Sequence, residues 1–477
     1  MTRERNNIFA GIDFKAVALY AALSAVGLAS IVSAAWDGQT SGLFDFSHIY
    51  MKQAMWIGIG WLLAFVVLLS DSRYYHMLAY YAYVAGIAAL VAVLLFGREV
   101  NGAKAWFELG SVRVQPVEFA KIAIALAVAR MMSETSFSIE HAGSLFRLAA
   151  VLLLPLGIIV AQNDTGSGIV LGSLIFVLYR EGLNKWLCIP VLFVALLFVV
   201  SFLVQPDILL VSLVIIFTLS EAMLNGMWRS RIIFLAAVFL GSLALQGVQA
   251  LAGGHMLYYQ SLLAASAVGV VAAAVYAFRN NMRNIFVIIA LYLSTMIFLP
   301  TSDYVFNSIL RPHQQNRILN FLGLIEDLHN TGYNVHQSKI AIGSGGLFGK
   351  GYLHGTQIRY DFVPEKHTDF IFCTIGEEWG FAGAAAVLTL LLLLILRLMK
   401  MGDRHREPFG RIYCYCVAAI LLFHVLVNVG MTIGLMPVMG IPLPLVSYGG
   451  SSFVAFTLMI FIAINLDAST RRESDFF

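Results

Sequence analysis

The stretch "PEKHTDFIFCTIGEEWGFAGAAAVLTLLLLLILRL", Pro364 to Leu398, joins two kinds of chemistry. Between Glu365 and Asp369 it offers a carboxylate, an ammonium, an imidazole, a hydroxyl and a second carboxylate. From Phe370 onward it is apolar for the length of a bilayer crossing, which takes roughly 17–25 mostly apolar residues. The reading is a transmembrane helix with a polar cluster at its mouth. The whole chain agrees with it. Of 477 residues, 60% are hydrophobic and 12% charged, where soluble domains carry about 25% charge and roughly 45–50% apolar residues. Mean hydropathy is +0.82. This composition predicts an all-α polytopic membrane protein. A net charge of +3 gives no reason to expect nucleic acid as a partner.

Applied along the chain, the same length rule yields fourteen candidate spans. They lie near 14–35, 51–70, 77–96, 116–132, 145–161, 165–179, 186–204, 208–224, 231–250, 257–278, 284–300, 369–398, 411–436 and 443–466. With the N-terminus in the cytoplasm, nineteen of the thirty Lys and Arg fall in inside loops and termini. Five fall in short outside loops and six in the long outside loop 301–368. Positive charge gathers on the cytoplasmic side, so both termini are expected inside. The first apolar run exceeds the ~7–15 residue core of a signal peptide and reads as a retained helix. Spans 208–300, plain apolar helices with minimal loops, read as an insertion of even number that preserves topology on both sides. The expected organisation is 1–207, the inserted 208–300, the extracytoplasmic loop 301–368, and 369–477. Cys188, Cys373, Cys414 and Cys416 lack zinc spacing and read as small core residues.

Several motifs have bland readings. Gly349-Lys350-Gly351 fails the Walker A pattern, so the glycine-rich stretch reads as tight turns about an interfacial or re-entrant piece. Ser447 lacks the glycine a nucleophile elbow needs; Pro442 and Pro444 are expected to open the last helix. Asp164 reads as a helix cap. Trp106, beside Lys104 in an outside loop, reads as an interfacial anchor. Glu118 and Lys121, three apart on one helix face, are either a neutralising pair or a functional one. Asp369 could cap the helix at Phe370, but Thr368 would serve as well. That leaves Asp369 spare, with Glu365, Lys366 and His367 beside it at the edge of a low-dielectric slab able to tune its proton affinity.

"NGAKAWFELGSVRVQPVEFAKI", "HQSKIAIGSGGLFGKGYLHGTQ", "VPEKHTDFIFCTIGEEWGFAG" and "MPVMGIPLPLVSYGGSS" closely resemble the SEDS family of shape, elongation, division and sporulation proteins, its rod-shape branch above its division branch. The resemblance covers roughly 10–205 and 301–470. It implies a peptidoglycan glycosyltransferase of the bacterial cytoplasmic membrane, polymerising lipid II on the outer face beside a class B penicillin-binding protein. It implies a core of ten spans, with the four at 208–300 outside the pattern. "QNDTGSG" departs from the family's Gln-Pro-Asp wording at Asp164. By the same resemblance Asp369 matches the family's essential aspartate, the candidate base. Trp106 matches a functional tryptophan, and Lys104, Arg113, Lys121 and Lys366 are outside-facing cations for a pyrophosphate. Glu118, Glu365 and His367 complete the expected substrate-binding set. A divalent cation, magnesium or manganese, fits this chemistry without a legible cage, and no organic cofactor is expected. The competing readings are a lipid II flippase, suggested by Glu118, Lys121 and the Pro/Gly-broken last helix, and a non-catalytic scaffold.

Overall fold

The computed structural model describes residues 11–36, 48–100, 102–110, 112–184, 204–225, 228–252, 258–279, 304–324 and 331–474, with scattered residues between 193 and 201 and between 289 and 301. The chain forms two compact units. One joins Met1–Leu183 to Gly323–Phe477, and the other is Asn184–Leu322, wider at both ends than the 208–300 segment. Nine described helices are long and apolar enough to cross a membrane.

The first unit contains α1 (Phe14–Ala34), α2 (Ile49–Leu69), α3 (Arg73–Phe96), β1 (Arg98–Val100), β2 (Ala103–Leu109), β3 (Val112–Val114), α4 (Pro116–Met132), α5 (Ala142–Ala161), α6 (Thr165–Gly172) and α7 (Leu174–Arg180). The second carries α8 (Pro206–Asn225), α9 (Trp228–Leu251), α10 (Tyr258–Arg279) and α11 (Pro312–Phe321). The chain then returns to the first unit with α12 (Thr331–Ser344), α13 (Thr356–Arg359), α14 (Ile371–Arg404), α15 (Pro408–Thr432) and α16 (Gly450–Ser474). Within the first unit α3 packs on α4, α2 on α16, α1 on α14, and α15 on both α4 and α14. The expected spans 186–204 and 284–300, and Cys188, lie mostly or wholly outside the described residues; Cys373, Cys414 and Cys416 are buried free thiols.

Four departures from the sequence reading have physical reasons. The segment after α3, expected as an outside loop, is a small antiparallel sheet in the order β1-β2-β3, where backbone pairing satisfies the main chain of a segment rich in Val and aromatic residues. The span near 165–179 is two pieces, α6 and α7, parted at Ser173. The last helix starts at Gly450, because residues 437–449 run as extended and turn backbone. Prolines 437, 442 and 444 cannot continue a helix interior and have no N–H to satisfy. Such backbone is tolerated at membrane depth only when buried in protein, and Ile441, Leu443, Leu445 and Val446 are all buried.

The fourth departure is inside α14, where Gly380 sits at φ 64°, ψ −162° and divides the helix. Only glycine takes that conformation cheaply. A broken helix leaves carbonyls and amides without intrahelical partners. The glycine-rich segment after α12 supplies them: Lys350 and Gly351 amides donate to the Glu377 and Glu378 carbonyls at 3.0 Å each, while the Phe381 and Ala382 amides donate to Gly346 and Leu347 at 2.8 and 3.0 Å. The 301–368 segment is therefore partly helical, and its glycines splice it to α14.

Candidate active site

The polar cluster 364–370 is a run of turns ahead of α14. Asp369 does not cap the helix: the cap position is Phe370, and no side chain bonds there. The Thr368 hydroxyl is also committed elsewhere, donating to the Glu365 carbonyl at 3.2 Å and to its carboxylate at 2.9 Å. The capping reading of both residues is thus replaced by another arrangement. Three successive carbonyls are held from outside. The Tyr448 amide donates to His367 O at 2.9 Å. The Ser447 hydroxyl donates to Thr368 O at 2.6 Å. Asn428 Nδ2 donates to Asp369 O at 2.8 Å. Fixing consecutive peptides in this way fixes where the intervening side chains point. The Asp369 carboxylate lies against Gly440, whose φ is +69° and where a Cβ would stand 3.5 Å from Oδ2.

The clamp is built from the extended segment 437–449. Ser447 Oγ also accepts from the Leu443 amide at 2.8 Å, so this serine is structural, as its sequence context suggests. Asn428 Nδ2 also donates to Ile441 O at 2.7 Å. One helical turn earlier, His424 Nδ1 lies 3.2 Å from Pro442 O. The pair sits at i, i+4 on one face of α15 and grips two neighbouring carbonyls of the segment.

Behind them Glu118 and Lys121 come together. Lys121 is fully buried and Glu118 is 2% exposed. Lys121 Nζ is 2.8 Å from Glu118 Oε1 and 2.8 Å from His424 Nε2. The ammonium has only protons to give, so His424 accepts at Nε2 and carries its proton at Nδ1, toward Pro442 O. The His424 ring meets Phe456 edge-on at 4.8 Å. A continuous polar line thus runs from Glu118 through Lys121 and His424 to the segment that positions Asp369. Glu118 Oε2 and Asn428 Oδ1 are buried with no partner among the described residues.

The other predicted residues distribute differently. Lys366 Nζ binds Ile358 O at 2.6 Å and Asp361 at 2.5 Å. Glu365 is exposed at φ 53°. His367 stacks at a tilt on Tyr448, 5.8 Å between rings, and burial holds its imidazole below the ordinary range. Burial likewise raises the Tyr448 phenol, against the pull of nearby Arg113. Arg113 and Arg98 both pair with Glu108, Arg113 at 3.0 Å. Lys104 and Trp106 stand on β2, Lys104 bound to Leu95 O at 3.0 Å and Trp106 opposite Arg98. Their sheet packs on α3 and α4, and through β3 on α16. Lys350 is held by Glu377 at 2.7 Å rather than offered as a lone charge. Asp164 is the N-cap of α6, accepting from the Ser167 amide at 3.1 Å, and it also takes Gln115 Nε2 at 3.0 Å. Among the described residues no group of three or more His, Cys, Asp or Glu is placed to hold a metal ion.

Four residues escaped sequence reasoning. Glu377 is fully buried and accepts from Lys350, Thr356, and the amides of Gln357 and Ile358. Glu378 accepts from the Ser33 hydroxyl. Asn428 and His424 are the others. All four are polar groups inside apolar segments, which alone marks them for a role.

Helices long enough to cross a bilayer, one of them broken and carrying a braced polar cluster at its mouth, define a polytopic membrane protein. Comparison with known proteins agrees. A family described as "Cell cycle protein", comprising FtsW, RodA and SpoVE, matches residues 14–217 and 209–472. The chain belongs to this FtsW/RodA/SpoVE family. The second match begins within the segment read as an insertion. The chain is 32% identical over 467 residues to "Peptidoglycan glycosyltransferase RodA" of Treponema pallidum (strain Nichols), covering 96% of this chain and 98% of that protein. It is 32% identical over 421 residues to "Peptidoglycan glycosyltransferase MrdB" of Escherichia coli (strain K12), covering 87% and 84%. Among solved structures, a chain from "Structural coordination of polymerization and crosslinking by a peptidoglycan synthase complex" matches with TM-score 0.61 at 25% identity, covering 96% of this chain and 98% of that one. RodA of Thermus thermophilus matches with TM-score 0.54 at 25% identity, covering 96% of both chains.

Proposed function

We propose that this protein is a peptidoglycan glycosyltransferase that polymerises lipid II for cell elongation, with Asp369 as its base. The observation that carries the assignment of the base is the bracing of Asp369 by three successive carbonyl bonds together with the position of its carboxylate beside Gly440. Lipid II bears an α-linked pyrophosphate and the glycan is β-1,4-linked, so the transfer inverts. The acceptor hydroxyl must lose its proton during attack, which a fixed carboxylate accomplishes. The leaving pyrophosphate needs cationic stabilisation, for which Lys366, Arg113 and Lys104 are the candidate cations. Lys121 is spent in its buried pair with Glu118 and acts on Asp369 through His424 and the 437–449 segment instead. Trp106, on β2, would stack on a sugar or guide the lipid. Glu365 and His367 flank the reacting carboxylate.

Magnesium or manganese would be held by Asp369 and the substrate's own phosphates, since magnesium takes one or two carboxylates and completes its shell with water and phosphate. Such an ion would supply charge to the departing pyrophosphate. The membrane is the bacterial cytoplasmic membrane, with both termini cytoplasmic and the 364–370 cluster outside. The partner is a class B penicillin-binding protein that crosslinks the glycan.

The test is to give purified protein lipid II, with and without that partner, and to resolve glycan chains by gel. Wild type makes polymer and Asp369→Asn does not. Polymer of normal yield from the asparagine variant removes Asp369 as the base. A lipid II transporter is the second reading, supported by the helix broken at Gly380, since transporters use interrupted helices. Movement of fluorescent lipid II across vesicles without polymer would favour it.

A further inference from the structure

The segment that clamps Asp369 is itself seated on two glycines of other helices. Gly27 lies in α1 and Gly166 in α6, and both are buried. A helix interior favours alanine over glycine, and neither position has the left-handed backbone that would call for glycine. What each position lacks is room. A Cβ on Gly166 would stand 2.7 Å from Met439 O and 3.0 Å from Ile441 Cγ1. A Cβ on Gly27 would stand 2.6 Å from Leu445 O, 2.8 Å from Val446 Cα and 3.0 Å from Val446 O. Non-bonded carbon contacts are most favourable at about 3.5–4.0 Å. The nearest obstructing atoms belong to the main chain, which cannot turn aside as the end of a side chain can.

Both helices of the seat are anchored. Asp164 caps α6 and accepts from Gln115 Nε2 at 3.0 Å. The Gln115 amide, just ahead of α4, donates to Ser451 Oγ of α16 at 3.4 Å. α1 is tied on both sides of Gly27: Tyr20 OH lies 2.8 Å from Thr457 Oγ1, and Ser33 donates to the Glu378 carboxylate. A methyl group added at either glycine therefore displaces the clamp rather than the helix beneath it. The peptides displaced are the two that reach the reactive cluster. A peptide group is a rigid plane that carries the carbonyl of one residue and the Cα of the next. Met439 O shares its plane with the Cα of Gly440, the residue beside the Asp369 carboxylate. Val446 O shares its plane with Ser447 Cα, and the Ser447 hydroxyl holds Thr368 O at 2.6 Å. Thr368 O in turn shares its plane with Asp369 Cα.

We infer that Gly27 and Gly166 are positioning residues for the Asp369 carboxylate, acting through the Val446–Ser447 and Met439–Gly440 peptides. The inference rests on the proposed role of Asp369 as base and extends the machinery that fixes it to α1 and α6. Each glycine lets the main chain of the clamp approach closer than any side chain would allow, and so sets where one end of the clamp lies. Relieving the contact made by an alanine takes a shift of roughly 0.5–1 Å. A 1 Å misplacement of a catalytic group costs about 10²-fold in rate, so a shift of this size is expected to cost about ten- to a hundredfold.

The experiment makes Gly166→Ala and Gly27→Ala in the full-length protein and measures lipid II polymerisation, melting temperature and the structure of each variant by cryo-electron microscopy. Gly168→Ala is the control, in the same helix as Gly166 but with its nearest contact an ordinary 3.5 Å to Leu156 Cδ1. Gly166→Ala and Gly27→Ala are expected to lose about ten- to a hundredfold in rate per folded molecule, and Gly168→Ala to keep the wild-type rate. The structures are expected to show the Asp369 carboxylate displaced in the two slow variants. Placed on Asp369→Asn, neither glycine change slows the residual rate further, which a general packing defect would do. The two glycines press on different peptides, so if one variant fails to fold the other carries the test. An Asp369 carboxylate that stays in place, a wild-type rate in a folded variant, or losses that multiply with Asp369→Asn overturn the inference. Polymer of normal yield from Asp369→Asn alone overturns the assignment of the base instead, and the displacement seen in the structures then decides the placement by itself.

Discussion

Two aspartates stand before helices at opposite ends of the same unit, and they are treated in opposite ways. Asp13 caps α1, accepting from the Ala16 amide at 3.2 Å. Its carboxylate also meets Arg397 at 2.6 Å, Arg471 at 2.9 Å and Arg404 at 3.2 Å. Burial would raise its proton affinity, but bonds from Arg397, Arg404 and Ala16 outweigh it and bring the pKa to about 2. Asp369, before α14, makes no cap. There the protein grips the main chain, through Asn428, Ser447 and Tyr448. A carboxylate whose lone pairs are filled by arginines is a strut. At Asp369 the fixed element is the backbone, which is the arrangement the proposed role as base requires.

The largest test exchanges asparagine at both sites. Asp369→Asn is expected to lower glycan synthesis by about 10²–10⁴-fold, the usual worth of a general base, with an unchanged melting temperature. Asp13→Asn is expected to do the reverse. It leaves three arginines around a neutral amide, a loss of up to about 3–5 kcal/mol for a buried pair broken on one side, trimmed because the arginines keep some contact with solvent. Yield and melting temperature fall, and the rate per folded molecule holds. Matching effects at the two sites would erase the distinction between strut and reactive group.

Next in size is Lys121. Lys121→Met strands Glu118 in the interior and is expected to cost about 3–5 kcal/mol. Changing Glu118→Leu as well replaces the pair with apolar groups and returns most of that stability. Activity is not expected to return, because His424 has lost the proton donor that sets its tautomer and its hold on Pro442 O. If the double variant regains full glycan synthesis, the Glu118–Lys121 pair belongs with Asp13 as a strut.

The apolar spans and the polar cluster ahead of α14 were legible in the sequence because each follows from a local property: apolar run length, or titratable groups gathered at the mouth of a helix. Nothing local announces that 437–449 leaves the helix early and becomes the clamp. Its prolines were visible, but whether they open a helix or prevent one depends on neighbours that cover the bare backbone. The same holds for Gly380, whose freed carbonyls and amides are met by a glycine segment some thirty residues earlier in the chain. His424 and Asn428 were readable in principle, as polar groups spaced by four in an apolar helix. Their partners, two carbonyls beyond the end of that helix, were not.

A smaller effect separates the two ends by pH. His405, after α14, is held to about 4 by burial and by Arg404 beside it, against about 6.5 when unfolded. The folded state thus prefers the neutral ring and binds fewer protons than the unfolded chain between those values. Its contribution is complete above about pH 6.5 and is lost as pH falls toward 4, by at most about 3 kcal/mol. Asp13 stays ionised across that window. Its own stabilisation is present above the usual aspartate range and is lost only as pH falls through about 2. Melting temperature measured from pH 4.5 to 7.5 should slope upward in wild type and flatten in His405→Gln. An unchanged slope in that variant would move the pH sensitivity to other groups, His367 first among them.

The smallest expected effect decides how the bracing of Asp369 works. Asn428→Ala removes both protons of one amide and leaves Asp369 O and Ile441 O short of a donor, at a cost of about 1–3 kcal/mol. His367 O and Thr368 O keep their bonds, so the Asp369 peptide shifts without coming loose. A misplacement of a full 1 Å in a catalytic group costs about 10²-fold, and a partial shift should cost about tenfold in rate. Loss of stability and loss of rate can share a cause, so neither alone assigns a positioning role. The double variant Asn428→Ala, Asp369→Asn separates them. Residues that act through one another give effects that do not add. If Asn428 works only by placing the Asp369 carboxylate, the double variant is as slow as Asp369→Asn and no slower, while still showing the lower melting temperature of Asn428→Ala. If the two losses multiply, Asn428 serves the reaction by another route, and the clamp on Asp369 is a feature of the fold alone.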